Sequence, residues 1–214
     1  MKTKLFLIAA CALFAGCKNG NGNCDIEELD NRPVSKTYIT VYIIPEGFAL
    51  LPNYFTPETN VFRITFYGEV VSNDRNSALF NSIAERIGDT NWNRPLSNGP
   101  PVGTVGKIIT SINVVSDTDF DADHPSGIPL NDLISFYGHT PYYFIQNGYK
   151  GNEYKIINKK ISELGENELV FIVPDPPISF IKLPDVQMNH RITMTITFED
   201  GVVLSTTQDI VFSE

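Results

Sequence analysis

Four carboxylates occupy every second position of Asp117-Thr118-Asp119-Phe120-Asp121-Ala122-Asp123, and His124-Pro125 follows directly. In an extended segment, side chains two apart share a face at about 7 Å spacing. Asp117, Asp119, Asp121 and Asp123 then repel one another unless a cation or backbone donors take up their charge. Calcium suits such a set, because it accepts roughly six to eight oxygens from flexible loops. The spacing falls short of the calcium-binding EF loop. Counted from Asp117, Ala122 stands where Gly is wanted and Ile128 where a bidentate Glu is wanted. The competing expectation is a solvated turn whose Asp side chains accept backbone N–H bonds, with Pro125 and Gly127 shaping the corner.

Other chemistry-bearing groups are scattered. His124, His139 and His190 show no metal-ligand spacing, and no G-x-S-x-G elbow is present. A phosphate loop around Gly106-Lys107 would need Gly in place of Pro101 and a hydroxyl in place of Ile108. Carboxylates are plentiful enough for a hydrolase, but nothing in their spacing selects a pair. An enzyme is therefore not the expectation. Phe136, Tyr137, Tyr142, Tyr143, Tyr149 and Tyr154 form an aromatic cluster flanked by Gly and Asn. Of these, Tyr137, Tyr142, Tyr143 and Tyr149 are the candidates for stacking on sugar rings or anchoring a protein partner, against the plainer expectation of packing.

At the N-terminus, basic Met1–Lys4 precedes Leu5–Gly16, a 12-residue uncharged run. That is too short for a helix across about 30 Å of hydrocarbon, which takes about 20 residues, and it reads as a signal peptide. Ala15-Gly16-Cys17 resembles the lipobox of bacterial lipoproteins, with Phe14 where Leu is usual. The resemblance implies cleavage before Cys17 and acylation of its thiol and new amine, and several acyl chains anchor a protein stably. The run Asp117–Gly127 with Leu130-Asn131-Asp132 resembles a segment of small Bacteroidetes lipoproteins of unknown function. It implies a lipid-anchored outer-membrane protein and brings no catalytic or binding residue. Acids are absent between Cys17 and Asp25, so the periplasmic and surface-facing sides both stand as alternatives.

Removing residues 1–16 takes away Lys2 and Lys4 and no acid, leaving 14 basic and 25 acidic residues and a formal charge of −11. That balance argues against nucleic acid, which needs clustered Lys and Arg. Cys24 is the one cysteine left beside Cys17, so no intramolecular disulfide is expected and an apolar core must hold the fold. Cys24 is expected to be a small, partly buried residue. Residues 18–23 read as a flexible tether of about 13 Å reach.

The elements that must position these groups follow from periodicity. Thr37–Ile44, ended by Pro45, predicts a strand, as do Val61–Val71 and Lys107–Val115. In Val61–Val71, Phe62, Ile64, Phe66 and Val70 share one face. Residues 45–60 read as a connection and residues 89–106 as surface loop. Residues 77–87 carry a helical stripe of Leu79, Ile83 and Ile87, with Asn73 or Asp74 as cap and Gly88 as stop. Pro129–Phe136 and Asn158–Leu164 predict helical turns; Tyr142–Ile145 and Leu169–Val173 predict strands, the latter central and stopped by Pro174–Pro177. Arg191–Phe198 alternates into Glu199-Asp200-Gly201. A three-residue turn there pairs Ile196 with Leu204 and Arg191 with Asp209, keeping apolar residues together.

The whole predicts residues 1–16 as signal, 17–24 as lipidated Cys and tether, and 25–214 as one all-β domain, an immunoglobulin-like antiparallel sandwich with short helical insertions. The expected role is that of a lipid-anchored envelope protein, structural or protein-binding. A glycan-binding module is the alternative and a hydrolase the third reading. No cofactor beyond the possible calcium is expected.

Overall fold

Two sheets face each other across an apolar core. The computed structural model describes residues 37–53, 60–92 and 102–212; Cys17, the tether and Cys24 lie outside them. All described residues belong to the compact unit Val34–Glu214. The strands are β1 (Val41–Pro52), β2 (Val61–Ser72), β3 (Gly103–Val105), β4 (Ile109–Ser116), β5 (Ile134–Thr140), β6 (Lys155–Lys160), β7 (Pro177–Phe180), β8 (Asn189–Phe198) and β9 (Val203–Val211). Helix α1 (Ser77–Arg86) follows β2, and α2 (Tyr142–Gln146) follows β5. One sheet has the order β3-β1-β2-β7-β5-β6 and the other β4-β8-β9. Every pairing is antiparallel except β1 with β3. The all-β sandwich expectation holds.

Alternation builds the main core. Ile192, Met194, Ile196 and Phe198 of β8 meet Ile64 and Phe66 of β2 and Ile134 and Phe136 of β5. Phe120, Phe180 and Phe212 close one end with ring centroids 5.0 to 5.9 Å apart. A second apolar cluster contains Tyr38, Tyr42 and Val71 together with Phe80, Ile83 and Ala84 of α1, Phe144 and Ile145 of α2, and Phe171. Phe62, Ile64 and Phe66 point into the main core as expected, whereas Val70 is exposed and its neighbour Val71 is buried in the second cluster.

The C-terminal hairpin has the predicted three-residue register. Ile196 pairs with Leu204, Thr195 with Ser205 and Arg191 with Asp209. Gly201 takes φ +79, a left-handed value that a side chain resists. Helix α1 also matches its stripe, but Asn76 caps it, accepting a bond from the Leu79 amide. Asn73 and Asp74 do not.

Several expectations are corrected. Pro45 does not end the first strand. β1 passes it through a bulge opposite Gly68 and runs to Pro52, because a bulge leaves the Pro nitrogen outside the ladder. A Cβ on Gly68 would collide with the Ile44 carbonyl, so only Gly permits this crossing. Tyr142–Ile145 is helical, not extended, its apolar run split between a buried side (Phe144, Ile145) and a half-exposed side (Tyr142, Tyr143). Pro129–Phe136 holds a single 3-10 turn, Asn131–Leu133, before β5 begins at Ile134. Asn158–Leu164 continues β6 to Lys160 and turns only at Ile161–Glu163.

Leu169–Val173 is not a strand. Phe171 has φ +50, and the turn sends Leu169 and Ile172 into the main core while Val170 and Phe171 enter the second. Its continuous apolar run reflects burial on two sides of a crossing segment. Pro177 opens β7 instead of belonging to a stop, a position that needs no N–H. In 89–106, β3 pairs with β1 and Asp89 is fully buried, so these parts are not surface loop.

Candidate functional site

The acidic run leaves β4 and is stitched into a turn by its own side chains. Asp117 Oδ1 accepts the Arg191 amide at 3.0 Å. Asp119 Oδ1 accepts the Ser126 amide at 2.8 Å, and Ser126 Oγ donates to the Asp117 carbonyl at 2.7 Å. Between them Phe120 is buried against Phe180 and Phe212, which draws Asp121 inward. Asp121 Oδ1 accepts the amides of Asp123 and His124 at 2.9 and 2.8 Å and faces His124 Nδ1 at 2.7 Å. Its Oδ2 meets Lys182 Nζ at 3.0 Å.

His124 Nε2 lies 3.0 Å from Asp132 Oδ1. With a carboxylate on each ring nitrogen, the imidazolium alone donates to both. Burial opposes its charge, but the bonds to Asp121 and Asp132 outweigh that and raise the His124 pKa. For Asp121, burial pushes the carboxyl up, while His124 and Lys182 overcome it and hold it well below the usual range.

Asp117, Asp119, Asp121 and Asp123 therefore do not converge on a shared cation position. Asp117, Asp119 and Asp121 are turned to different donors, and Asp123 contributes its amide to Asp121. Among the described residues no group of three or more His, Cys, Asp or Glu is placed to hold a metal.

Two further buried carboxylates have no precursor in the motif reading. Asp89 follows α1 and accepts the Tyr38 and Ile39 amides at 2.8 and 2.9 Å and the Tyr149 hydroxyl at 3.0 Å. Burial raises its pKa, and these neutral donors offset only part of that. Glu168 accepts the Gly165 amide and both Lys159 and Lys155 at 2.9 to 3.2 Å. Burial pushes its carboxyl up, but these bonds prevail and bring it down to about 2. Asp89 takes its donors from distant segments and Glu168 its two lysines from β6, with the Gly165 amide as its one local partner, so no motif spacing announces either residue.

A serine–histidine contact also exists. His190 Nδ1 lies 2.8 Å from Ser116 Oγ and 3.0 Å from Thr118 Oγ1, and its Nε2 lies 2.8 Å from the Gln187 carbonyl. Donation from Nε2 to that carbonyl leaves Nδ1 as acceptor for the two hydroxyls. Ser116 and His190 are both buried, so the contact braces β4 against β8.

The tyrosine candidates separate. Tyr149 is committed to Asp89. Tyr142 and Tyr143 contact each other edge-on at 5.5 Å, and Lys155 Nζ sits 4.2 Å from the centre of the Tyr143 ring. Tyr137 is 39 % exposed and touches His139 edge-on at 5.1 Å. Phe136 lies in the main core. Beside α2, Tyr143, Asn147, Asn152, Tyr154 and Lys155 border an open hollow of about 410 Å³.

The larger concavity was not foreseen. It is a groove of about 510 Å³ between β4 and the 161–169 segment, lined by apolar Ile109, Ile112, Ile161, Leu164 and Leu169 and by polar Thr110, Ser111, Glu166 and Asn167. Compared with protein-family models, with curated proteins and with solved structures, the chain matches none.

Proposed function

We propose that this is a lipid-anchored protein of the cell envelope, held to the outer membrane through Cys17, whose sandwich domain binds another protein. The groove beside β4 carries the protein-binding part of this reading. It is the larger of the two concavities described above and mixes apolar Ile112, Ile161 and Leu164 with polar Thr110, Ser111 and Glu166, while the buried ionisable groups Asp89, Asp121 and Glu168 are each taken up by donors of their own network. Concave surfaces that combine apolar and polar groups are where binding concentrates.

The anchoring part rests on the sequence from Met1 to Cys17. A Cys17→Ala chain is expected to leave the detergent phase in membrane fractionation, and its retention there would sink the anchor. For the domain, a photo-crosslinking residue at Ser111 in intact cells is expected to capture a protein. Capture of polysaccharide alone, or of nothing, would sink the protein-binding reading.

The second reading is glycan binding at the α2 hollow, favoured by the half-exposed Tyr143 and Tyr154 beside Asn147 and Asn152. Aromatic faces with amide donors are the usual means of holding sugar rings. A crosslinker at Lys150, which also borders the hollow, tests it, with polysaccharide capture as the expected outcome.

A further inference from the structure

The α2 hollow continues onto the outer face of β5 and β6. Tyr154 borders the hollow, and its ring centre lies 6.2 Å from that of His139. The His139 ring in turn lies 5.1 Å from that of Tyr137. Along β5, Tyr137 and His139 alternate with the buried Phe136, Gly138 and Thr140. Both therefore project from the face of the sheet turned away from the main core. On β6, Asn158 stands opposite Tyr137 and Ile156 opposite His139. Asn158 is exposed, and Ile156 is 58 % exposed, unusually open for an isoleucine on a strand. Three rings in a row, flanked by an amide and an aliphatic side chain, thus run out from the hollow.

This strip has the chemistry of a sugar surface. The C–H faces of a sugar ring pack on aromatic and aliphatic groups, and its hydroxyls bond to amides. The edge-on contacts at 88° and 80° brace the rings against one another, so little ordering remains to be done when a ligand lands on them. No carboxylate stands on the strip. Neighbouring Glu153 accepts the Tyr38 hydroxyl at 3.0 Å. The chain beyond residue 16 holds 14 basic and 25 acidic residues, a balance that disfavours an anionic polymer and leaves an uncharged one unopposed. A protein partner needs a contiguous apolar centre, whereas Ile156 is set here among polar-edged rings and an amide.

We propose that the hollow and this strip together bind an extended, uncharged polysaccharide. One sugar sits in the hollow against Tyr143 and Tyr154, and the following sugars lie over His139 and Tyr137 with Asn158 bonding their hydroxyls. This deepens the glycan reading and rests on it. It also names two residues, His139 and Tyr154, that no spacing in the sequence singles out as partners of Tyr137.

The test titrates the full lipidated chain in nanodiscs with cello-, malto- and mannan oligosaccharides, each from the disaccharide to the hexasaccharide. The expected result is binding in at least one series that tightens with length and levels off once the strip is covered. Tyr137→Ala, an exposed change whose folding a melting curve verifies, is expected to weaken the hexasaccharide about tenfold and to leave the disaccharide unaffected. Tyr137→Phe keeps the ring and should keep both affinities. Equal affinity at every length, a hexasaccharide indifferent to Tyr137→Ala, or tighter binding of an acidic alginate hexasaccharide overturns the proposal while glycan binding at the hollow stands. Absence of binding in every series overturns it as well. If the Lys150 crosslinker then still captures polysaccharide, the glycan reading survives, and if that capture also fails, the reading falls with it.

Discussion

Asp89 and Asp121 are both withdrawn from water, yet their folded-state pKa values move in opposite directions. Asp89 sits beside the second core among two amides and one phenol, with no cation bonded to it among the described residues, and burial wins. Asp121 sits at the end of the main core beside an imidazolium and an ammonium group, and the bonds win. The difference shows that depth alone does not set the response to acid. The charge of the donors does, because a buried carboxylate stays ionised most readily where a cation shares its site.

The largest effect is expected from Asp89→Ala. It leaves the Tyr38 and Ile39 amides buried without acceptors, at a cost of about 3 kcal/mol for the two together, measurable as a shift of the urea midpoint. A loss below about 1 kcal/mol would mean that water replaces the carboxylate and the contrast with Asp121 is weaker than the geometry implies.

Asp121→Asn comes next. It keeps an acceptor for the two turn amides but removes the charge facing Lys182 and His124, so a smaller fall in melting temperature is expected. Its signature is in acid. Asp121 and Glu168 have folded pKa values below their unfolded ones. They stabilise the domain above the ordinary carboxyl range and lose that contribution as pH falls, toward about 2 in the case of Glu168. Asp89 has the opposite sign. Its folded pKa is raised above 3.8, so the folded state holds the proton more tightly and stability declines as pH rises through that window. Asp121→Asn should flatten the acid limb of the stability profile, and an unchanged limb would assign acid unfolding elsewhere.

Tyr149→Phe removes one of three donors to Asp89 and should cost about 1 kcal/mol, while raising the Asp89 pKa further, read by carboxyl NMR. His124→Gln is expected to have the smallest effect and a distinctive pH dependence. The raised His124 pKa means its contribution is complete below the ordinary value of 6.5 and is lost as pH rises through the folded value. The gap between the two proteins should therefore close on the alkaline side. A gap constant with pH would show that the His124 charge plays no part in the clasp.

How far these features are legible before folding differs by region. Every second residue from Arg191 to Phe198 is polar, and Gly201 supplies the left-handed turn position, so the hairpin register follows from the letters alone. The acidic run also carries its turn reading locally, since Asp121 and Asp119 bond amides only two to seven residues away. Leu169–Val173 misleads because its apolar letters answer to two cores on different sides, and Tyr142–Ile145 because a short helix buries Phe144 and Ile145 in one core and leaves Tyr142 and Tyr143 half-exposed. Asp89 gives no signal, as its amide donor Tyr38 lies 51 residues away. Nor does the groove, whose walls come from β4 and from the 161–169 segment, far apart in the chain.

The sequence by itself determined the acidic balance, the all-β class and the C-terminal register, because each depends on composition or on period along a few residues. The tertiary structure alone decided which carboxylates are buried and with which donors, where the second core lies, and where the groove beside β4 forms. Those depend on segments meeting across long stretches of chain, and a residue's burial and pKa belong to the meeting and not to the residue.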